Sequence, residues 1–237
     1  MNSIAEKLVK IAENEPKVYE AGRKKEYDVF WDAFQDYGNR YNYTQAFAYT
    51  WSDDIFKPKY DIKIGGDYTS TQVFFNSNIC DLVECLNKAN VKIDTSEAKS
   101  LASLFDRAQK LINTPPIDAI KCKTLMMTFY NSPNLKNINI SNIQEDCVFD
   151  RTFAYSPALT DITLTNCTIG QNGFNVQWSK NLSADSLKSI IGALSTTTTG
   201  LTITLPNTAQ NNYEAVYGSG SWATLTATRS NWTIAYA

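Results

Sequence analysis

Three phenylalanines spaced by 24 residues, Phe105, Phe129 and Phe153, each followed six positions later by a leucine (Leu111, Leu135, Leu159), constrain this chain more than any other feature. Recurrence at a fixed period of this length is the signature of a stacked-repeat architecture. The second and third copies agree further, as Phe129-x-x-Ser132-x-x-Leu135-x-x-Ile138-x-Ile140 against Phe153-x-x-Ser156-x-x-Leu159-x-x-Ile162-x-Leu164, and Ser-Pro recurs at Ser132-Pro133 and Ser156-Pro157. The Ile-x-Ile tail alternates with period two, so Ile138 and Ile140 point inward while Asn137 and Asn139 point out. One such strand cannot bury its own face. Stacking copies pairs the strands in parallel and piles phenylalanine on phenylalanine, making the core continuous.

Upstream, Ile93-Asp94 and Ile117-Asp118 keep the 24-residue spacing but slip by one position against Ile140, with Pro115-Pro116 where the slip falls. Downstream the period lengthens: Ser183 to Leu194 reads as a helix with Leu187, Ile190, Ile191 and Leu194 on one face, followed by a strand over 201–205. A final copy runs from about Trp222 into Trp232-Thr-Ile234, and atypical end units are what capping such a core requires. The expected fold is α/β, a solenoid with short parallel strands preceded by N-terminal helices.

The segment 1–38 reads differently. Ser3-Ile4-Ala5-Glu6 is a capping box that opens a helix, and Ile4, Leu8 and Ile11 form one apolar stripe on it. Pro16 breaks that helix and opens a second over about 16–37, with Tyr27, Phe30, Trp31, Phe34 and Tyr37 on one face and Gly38 as its stop. Between Tyr41 and Tyr60 aromatic residues, among them Tyr43, Phe47, Tyr49, Trp51 and Phe56, sit in a run too irregular for helix or strand, fit either to seal the end of the stack or to hold sugars. The expected division is 1–38 as helical anchor, 39–74 as an aromatic-rich cap and 75–237 as the repeat body. Gly65-Gly66 reads as a turn.

The pattern F-x-x-[C/S]-x-x-L-x-x-I-x-[I/L] resembles the BspA-like leucine-rich repeats of bacterial surface and phage-associated proteins, over about residues 75–237 and most closely over Phe129–Leu164. Ser132 and Ser156 stand where that family often has cysteine. The layout is also similar to leucine-rich-repeat proteins encoded in prophages of anaerobic gut bacteria, through IAENEPKVYEAGRKKEYDVFWDAFQDYGNR and IGQNGFNVQWSKNLSADSLKSIIGALS. The resemblance implies a non-enzymatic virion or tail-fibre-associated protein that attaches to a host surface, and it supplies no catalytic residues. The alternatives are a bacterial surface adhesin of the same repeat class and a carbohydrate-active enzyme.

Chemistry is sparse. The chain has no histidine, which removes Ser-His and Cys-His pairs, histidine bases and most transition-metal sites, so no catalytic residue, metal or cofactor is expected. Twenty-two Lys and Arg against 24 Asp and Glu leave no cationic excess for nucleic acid. Cys80, Cys85, Cys122, Cys147 and Cys167 form no CxxC pair and read as buried free thiols. The neighbours Asp53-Asp54 and Glu145-Asp146 are the only obvious carboxylate pairs for glycoside cleavage, and they read as solvated turn residues. No apolar run is long enough to span a bilayer and the N-terminus lacks the apolar core of a secretory signal, so the expectation is synthesis in the cytoplasm without membrane insertion, then assembly into a virion, or display on a cell surface in the adhesin alternative.

Two binding surfaces are expected. The stripe of Ile4, Leu8 and Ile11 would drive homo-oligomerisation, a trimer by analogy with phage fibres, with other virion proteins as further partners. Outward positions on the stacked strands, Asn137 and Asn139, Asp161 and Thr163, then Thr202 and Thr204, would form one polar ladder edged by Tyr130 and Tyr155. Such a face suits a host-surface polysaccharide or protein better than an anionic polymer.

Overall fold

A computed structural model describes residues 47, 51–66 and 72–237; the helices expected over 1–37, the Ile4, Leu8 and Ile11 stripe, Tyr43 and Tyr49 lie outside the described residues. In chain order the elements are β1 (Ile62–Gly66), α1 (Leu82–Ala89), β2 (Ile93–Ala98), β3 (Ile117–Asp118), β4 (Asn137–Ser141), β5 (Asp161–Thr165), α2 (Ala184–Ala193), β6 (Leu201–Leu205), α3 (Ala209–Tyr217), α4 (Ser221–Ala227) and β7 (Trp232–Tyr236). Gly65 and Gly66 close β1 opposite Glu97 and Ala98, so the turn expected there is a strand end.

All pairings between these strands are parallel, and they fall into three separate sheets, β1-β2, β3-β4-β5 and β6-β7. The result is a small mixed α/β fold with four helices among the described residues, which corrects the expected leucine-rich-repeat solenoid with its single run of stacked strands. The first physical reason is spacing. Ile138 faces Ile162 exactly one repeat on, but Ile62 faces Ile93 and Leu201 faces Trp232 at offsets well beyond one repeat, so no one period carries a sheet through the molecule. The second reason lies at the sheet edges. Between β2 and β3, the Asp118 N–H donates to Thr95 Oγ1 (2.8 Å) and that hydroxyl donates to the Asp118 carbonyl (2.9 Å), so a side chain replaces a strand rung. Beyond β5, the Ile162 and Leu164 N–H groups donate to Ser186 Oγ and Ser189 Oγ of α2, each at 2.8 Å. Helix α2 therefore terminates the central sheet by satisfying its edge donors.

Within the segment 100–165 the repeat survives as contacts. Asn113 bridges Asn137 at a full repeat while Ile117 faces Ile140 one position short of it, so the slip falls between them, at Pro115-Pro116. The rings of Phe74, Phe105, Phe129 and Phe153 form one buried column with centroid separations of 5.3, 6.0 and 5.7 Å and interplanar angles of 20° or less. Phe174 extends it, tilted, at 5.1 Å.

Burying turns beside this column strands backbone carbonyls, and repeated hydroxyls answer them. Ser132 Oγ donates to the Phe105 carbonyl (2.8 Å), Ser156 Oγ to that of Phe129 (2.7 Å) and Ser179 Oγ to that of Ser156 (3.1 Å). Thr128 and Thr152 do the same for Leu101 and Leu125. The turns are tight enough to force positive φ at equivalent positions of successive repeats: Ser103, Met127 and Arg151 before each phenylalanine, and Arg107, Asn131 and Tyr155 after it. A non-glycine residue held there carries strain of about 1–2 kcal/mol, so packing of the column must over-determine it.

At one end Phe47, Trp51 and Phe56 are fully buried and meet each other edge-to-face, with Phe47 stacked on Phe74 at 5.1 Å. At the other, α2 is capped by Ser183, whose side chain accepts from the Ser186 N–H, and closed by Arg229, which donates to the Leu194 and Gly192 carbonyls at 2.8 and 2.7 Å. All five cysteines are free; Cys122 and Cys147 are buried and the other three half-buried. Among the described residues no helix is long and apolar enough to cross a membrane.

Candidate functional site

The segment Gln171–Lys180 runs from a turn to the edge of β6 and aims one large ring outward. Gly173 has φ +100°, a conformation that side chains beyond glycine rarely adopt, and it lets the chain turn over the Phe149 backbone. Phe174 and Val176 then face the core, the Val176 N–H donates to the Thr204 carbonyl (2.9 Å) and the Thr204 N–H to the Phe174 carbonyl (3.1 Å). Ser179 is buried on the hydroxyl ladder. Between the buried Val176 and Ser179 the chain leaves Trp178 half-exposed, its ring 5.1 Å from Tyr155, which is 52% exposed and itself 5.5 Å from Tyr130.

Trp178 is the wall between two open clefts. One, of about 300 Å³, is lined by Asp150, Arg151, Ala154, Asn172, Gly173, Phe174, Asn175, Thr202 and Thr204. The other, of about 590 Å³, is lined by Pro157, Gln177, Lys180, Asn181 and Ala237. Asn172 and Asn175 use their amide oxygens to accept the Thr202 N–H (2.8 Å) and the Gln177 N–H (3.0 Å), which fixes the amides with their NH2 groups left over. Arg151 lies 3.9 Å from the Asp150 carboxylate, so the smaller cleft is close to neutral.

The polar tips of the three rings have no protein partner among the described residues. Trp222 donates its indole N–H to Tyr236 Oη (2.9 Å) and Trp232 to the Ser195 carbonyl (2.9 Å), and Tyr217 donates to Asp185 (2.6 Å). The Trp178 indole N–H and the Tyr130 and Tyr155 hydroxyls make no such bond. A ring with an apolar face and an unpaired donor at its rim can engage C–H surface and hydroxyls together.

The expected ladder is split. Asn137, Asn139, Asp161 and Thr163 all point outward on β4 and β5, as Asn137 opposite Asp161 and Asn139 opposite Thr163. Thr202 and Thr204 lie in the other sheet, opposite Thr233 and Ala235, with α2 intervening. Asn137 is tied to Asn113 (2.6 Å), and the Asp161 carboxylate accepts from Ser183 (2.9 Å) and Thr160 (2.7 Å). The structure instead gathers Thr202 and Thr204 with Trp178, and Trp178 with Tyr155 and Tyr130. Tyr130 and Tyr155 are offset by one position within their repeats, not equivalent; they meet because the ring of Tyr155 leaves a turn residue of positive φ. Sequence reasoning missed Trp178, Asn172, Asn175, Gln177 and Asn181, although QNGFNVQWSKN, five amide side chains around one tryptophan, was the signal that could have found them.

The other acidic groups hold structure. Asp53 Oδ1 accepts from the N–H groups of Cys80 (2.8 Å) and Asp81 (3.0 Å) at the start of α1, in a cleft of about 520 Å³ that also holds Glu84, Cys85 and Lys88. Burial and the Asp53 charge push the Cys85 thiol up to about 11, far from the reactive range. Glu145 Oε1 accepts from Ser195 (2.6 Å) and Thr197 (3.1 Å), and Asp146 pairs with Lys123 (2.6 Å). Among the described residues no group of three or more His, Cys, Asp or Glu is disposed to hold a metal ion.

No protein-family model, no curated protein and no solved structure matches the chain. The expected virion or tail-fibre attachment role was implied by a resemblance to leucine-rich repeats and needed a continuous repeat face to present, and so did the surface adhesin of the same repeat class. Three separate sheets remove that face, and both readings are corrected with it.

Proposed function

We propose that this protein is a non-catalytic carbohydrate-binding module whose ligand surface is the Tyr130–Tyr155–Trp178 run with the clefts beside it. The observation that carries the reading is one run of three partly exposed rings in contact at 5.5 and 5.1 Å, whose indole N–H and phenol hydroxyls lack protein partners among the described residues and whose Trp178 borders two open clefts. Sugars present apolar C–H faces and hydroxyl edges at once, which is what an aromatic ring rimmed by amides and threonine hydroxyls complements. A net charge of −2 gives no support to a polyanion such as nucleic acid.

Affinity electrophoresis through gels containing soluble polysaccharides tests it. Retardation of the native protein in at least one gel is expected, with Trp178→Ala weakening that binding by about tenfold or more at unchanged melting temperature. Equal retardation of the two proteins, or none in a panel of neutral and acidic polysaccharides, would sink the reading.

A further inference from the structure

Resting on the reading of this surface as carbohydrate-binding, we infer that the site takes an internal stretch of a linear, uncharged polysaccharide lying across Trp178, rather than a single sugar or a chain end. Trp178 lines both clefts, so a ligand stacked on its ring reaches each of them. Each side has its own unpaired polar groups among the described residues: the Asn172 and Asn175 amide NH2 groups and the Thr202 and Thr204 hydroxyls on one, and the Gln177 and Asn181 amides on the other. Both clefts are open at the surface, with nothing among the described residues that closes over a terminal unit. A monosaccharide would leave one set of donors unused and bury little area. An extended chain engages both sets and carries its ends out into solvent.

The uncharged class follows from the lining. In the smaller cleft the opposite charges of Arg151 and Asp150 lie 3.9 Å apart and offset each other, and Lys180 is the lone charged side chain lining the larger one among the described residues. Amides and threonine hydroxyls recognise hydroxyl groups without requiring a charge. The side chains of Thr204 and Gln177 line different clefts beside Trp178 and make no protein hydrogen bond among the described residues, so each can be altered without breaking a side-chain hydrogen bond of the fold.

Calorimetry with gluco-, xylo- and manno-oligosaccharides of two to six units, and with the parent polysaccharides, tests the inference on the full chain. For the series that binds, affinity is expected to rise about tenfold or more from the disaccharide and then level off once both clefts are filled. Thr204→Val and Gln177→Ala should each lower hexasaccharide affinity several-fold, while at most one of them changes disaccharide affinity; Asn181→Ala, at an exposed residue, repeats the second arm should Gln177→Ala fold poorly. Disaccharide and hexasaccharide binding with equal affinity, or an effect confined to one side of Trp178, overturns the inference while leaving carbohydrate binding standing. Preference for uronate polymers over neutral ones overturns the ligand class. Failure of every oligosaccharide and polysaccharide to bind overturns this inference and the proposed function together.

Discussion

Phe129→Ala removes the middle ring of the aromatic column, and the structure sets its cost. The side chain is 0% exposed and sits between Phe105 at 6.0 Å and Phe153 at 5.7 Å, nearly parallel to both. Withdrawing about 100 Å² of apolar ring from the core forfeits about 2.5 kcal/mol at 25 cal/mol per Å². The ring leaves a void of about 80 Å³ if its neighbours hold their places, adding about 2 kcal/mol at 24 cal/mol per Å³. The neighbours are fixed: Ser132 and Ser156 anchor the adjacent turns to the Phe105 and Phe129 carbonyls, so collapse into the void is limited. The expected loss is therefore about 4 kcal/mol, a large share of the 5–15 kcal/mol typical of a whole domain. Urea unfolding followed by circular dichroism reads it as a lower midpoint at unchanged slope. Asn139→Ala serves as control, since Asn139 is exposed on β4 and should shift stability by under about 0.5 kcal/mol. A loss below about 1.5 kcal/mol for Phe129→Ala would refute the idea that a rigid aromatic column supports the fold.

Two further outcomes follow from groups beside the column. Ser156→Ala deletes the donor to the Phe129 carbonyl and the acceptor of the Ser132 N–H, both buried, and should cost about 1–3 kcal/mol in the same assay, whereas Ser156→Cys, which keeps a weak donor, should recover part of it. Asp106 is buried, its Oδ1 has no hydrogen-bond partner, and desolvation pushes its carboxyl up to about 6 despite the opposing charge of Arg107. A carboxyl raised above its unfolded value binds its proton more tightly when folded, so its contribution is full below about pH 4 and is lost as pH rises through about 6. Stability should thus fall by at most about 3 kcal/mol across that window, and Asp106→Asn should flatten this part of the pH profile; an unchanged slope in the variant would show that another group is responsible.

Much of the local structure was legible because it is written in spacing. Alternation in Ile138-x-Ile140 and Ile162-x-Leu164 determined which residues face inward on β4 and β5, and the recurrence of phenylalanine determined that Phe105, Phe129 and Phe153 would share one column. Ser183 as a helix cap and the amphipathic face of α2 were equally local signals. The sheet boundaries were not local. Whether β5 gains another strand depends on Ser186 and Ser189 reaching its edge from the helix that follows in the chain, and whether β2 joins β3 depends on one threonine hydroxyl. Periodicity describes what each segment would bury; it does not say which neighbour satisfies an edge N–H, and here that choice separated one long repeat stack from three sheets. The candidate site followed the same division. Tyr130 and Tyr155 were visible as exposed aromatics near the repeat, but their meeting with Trp178 depends on a turn of positive φ at Tyr155 and another at Gly173, and on the pairing of Asn175 with Thr204, which lies beyond α2 in the chain. Ring faces and hydrogen-bond donors can be counted in a sequence. Only the tertiary structure decides which donors the protein uses for itself and which it leaves unpaired at the surface.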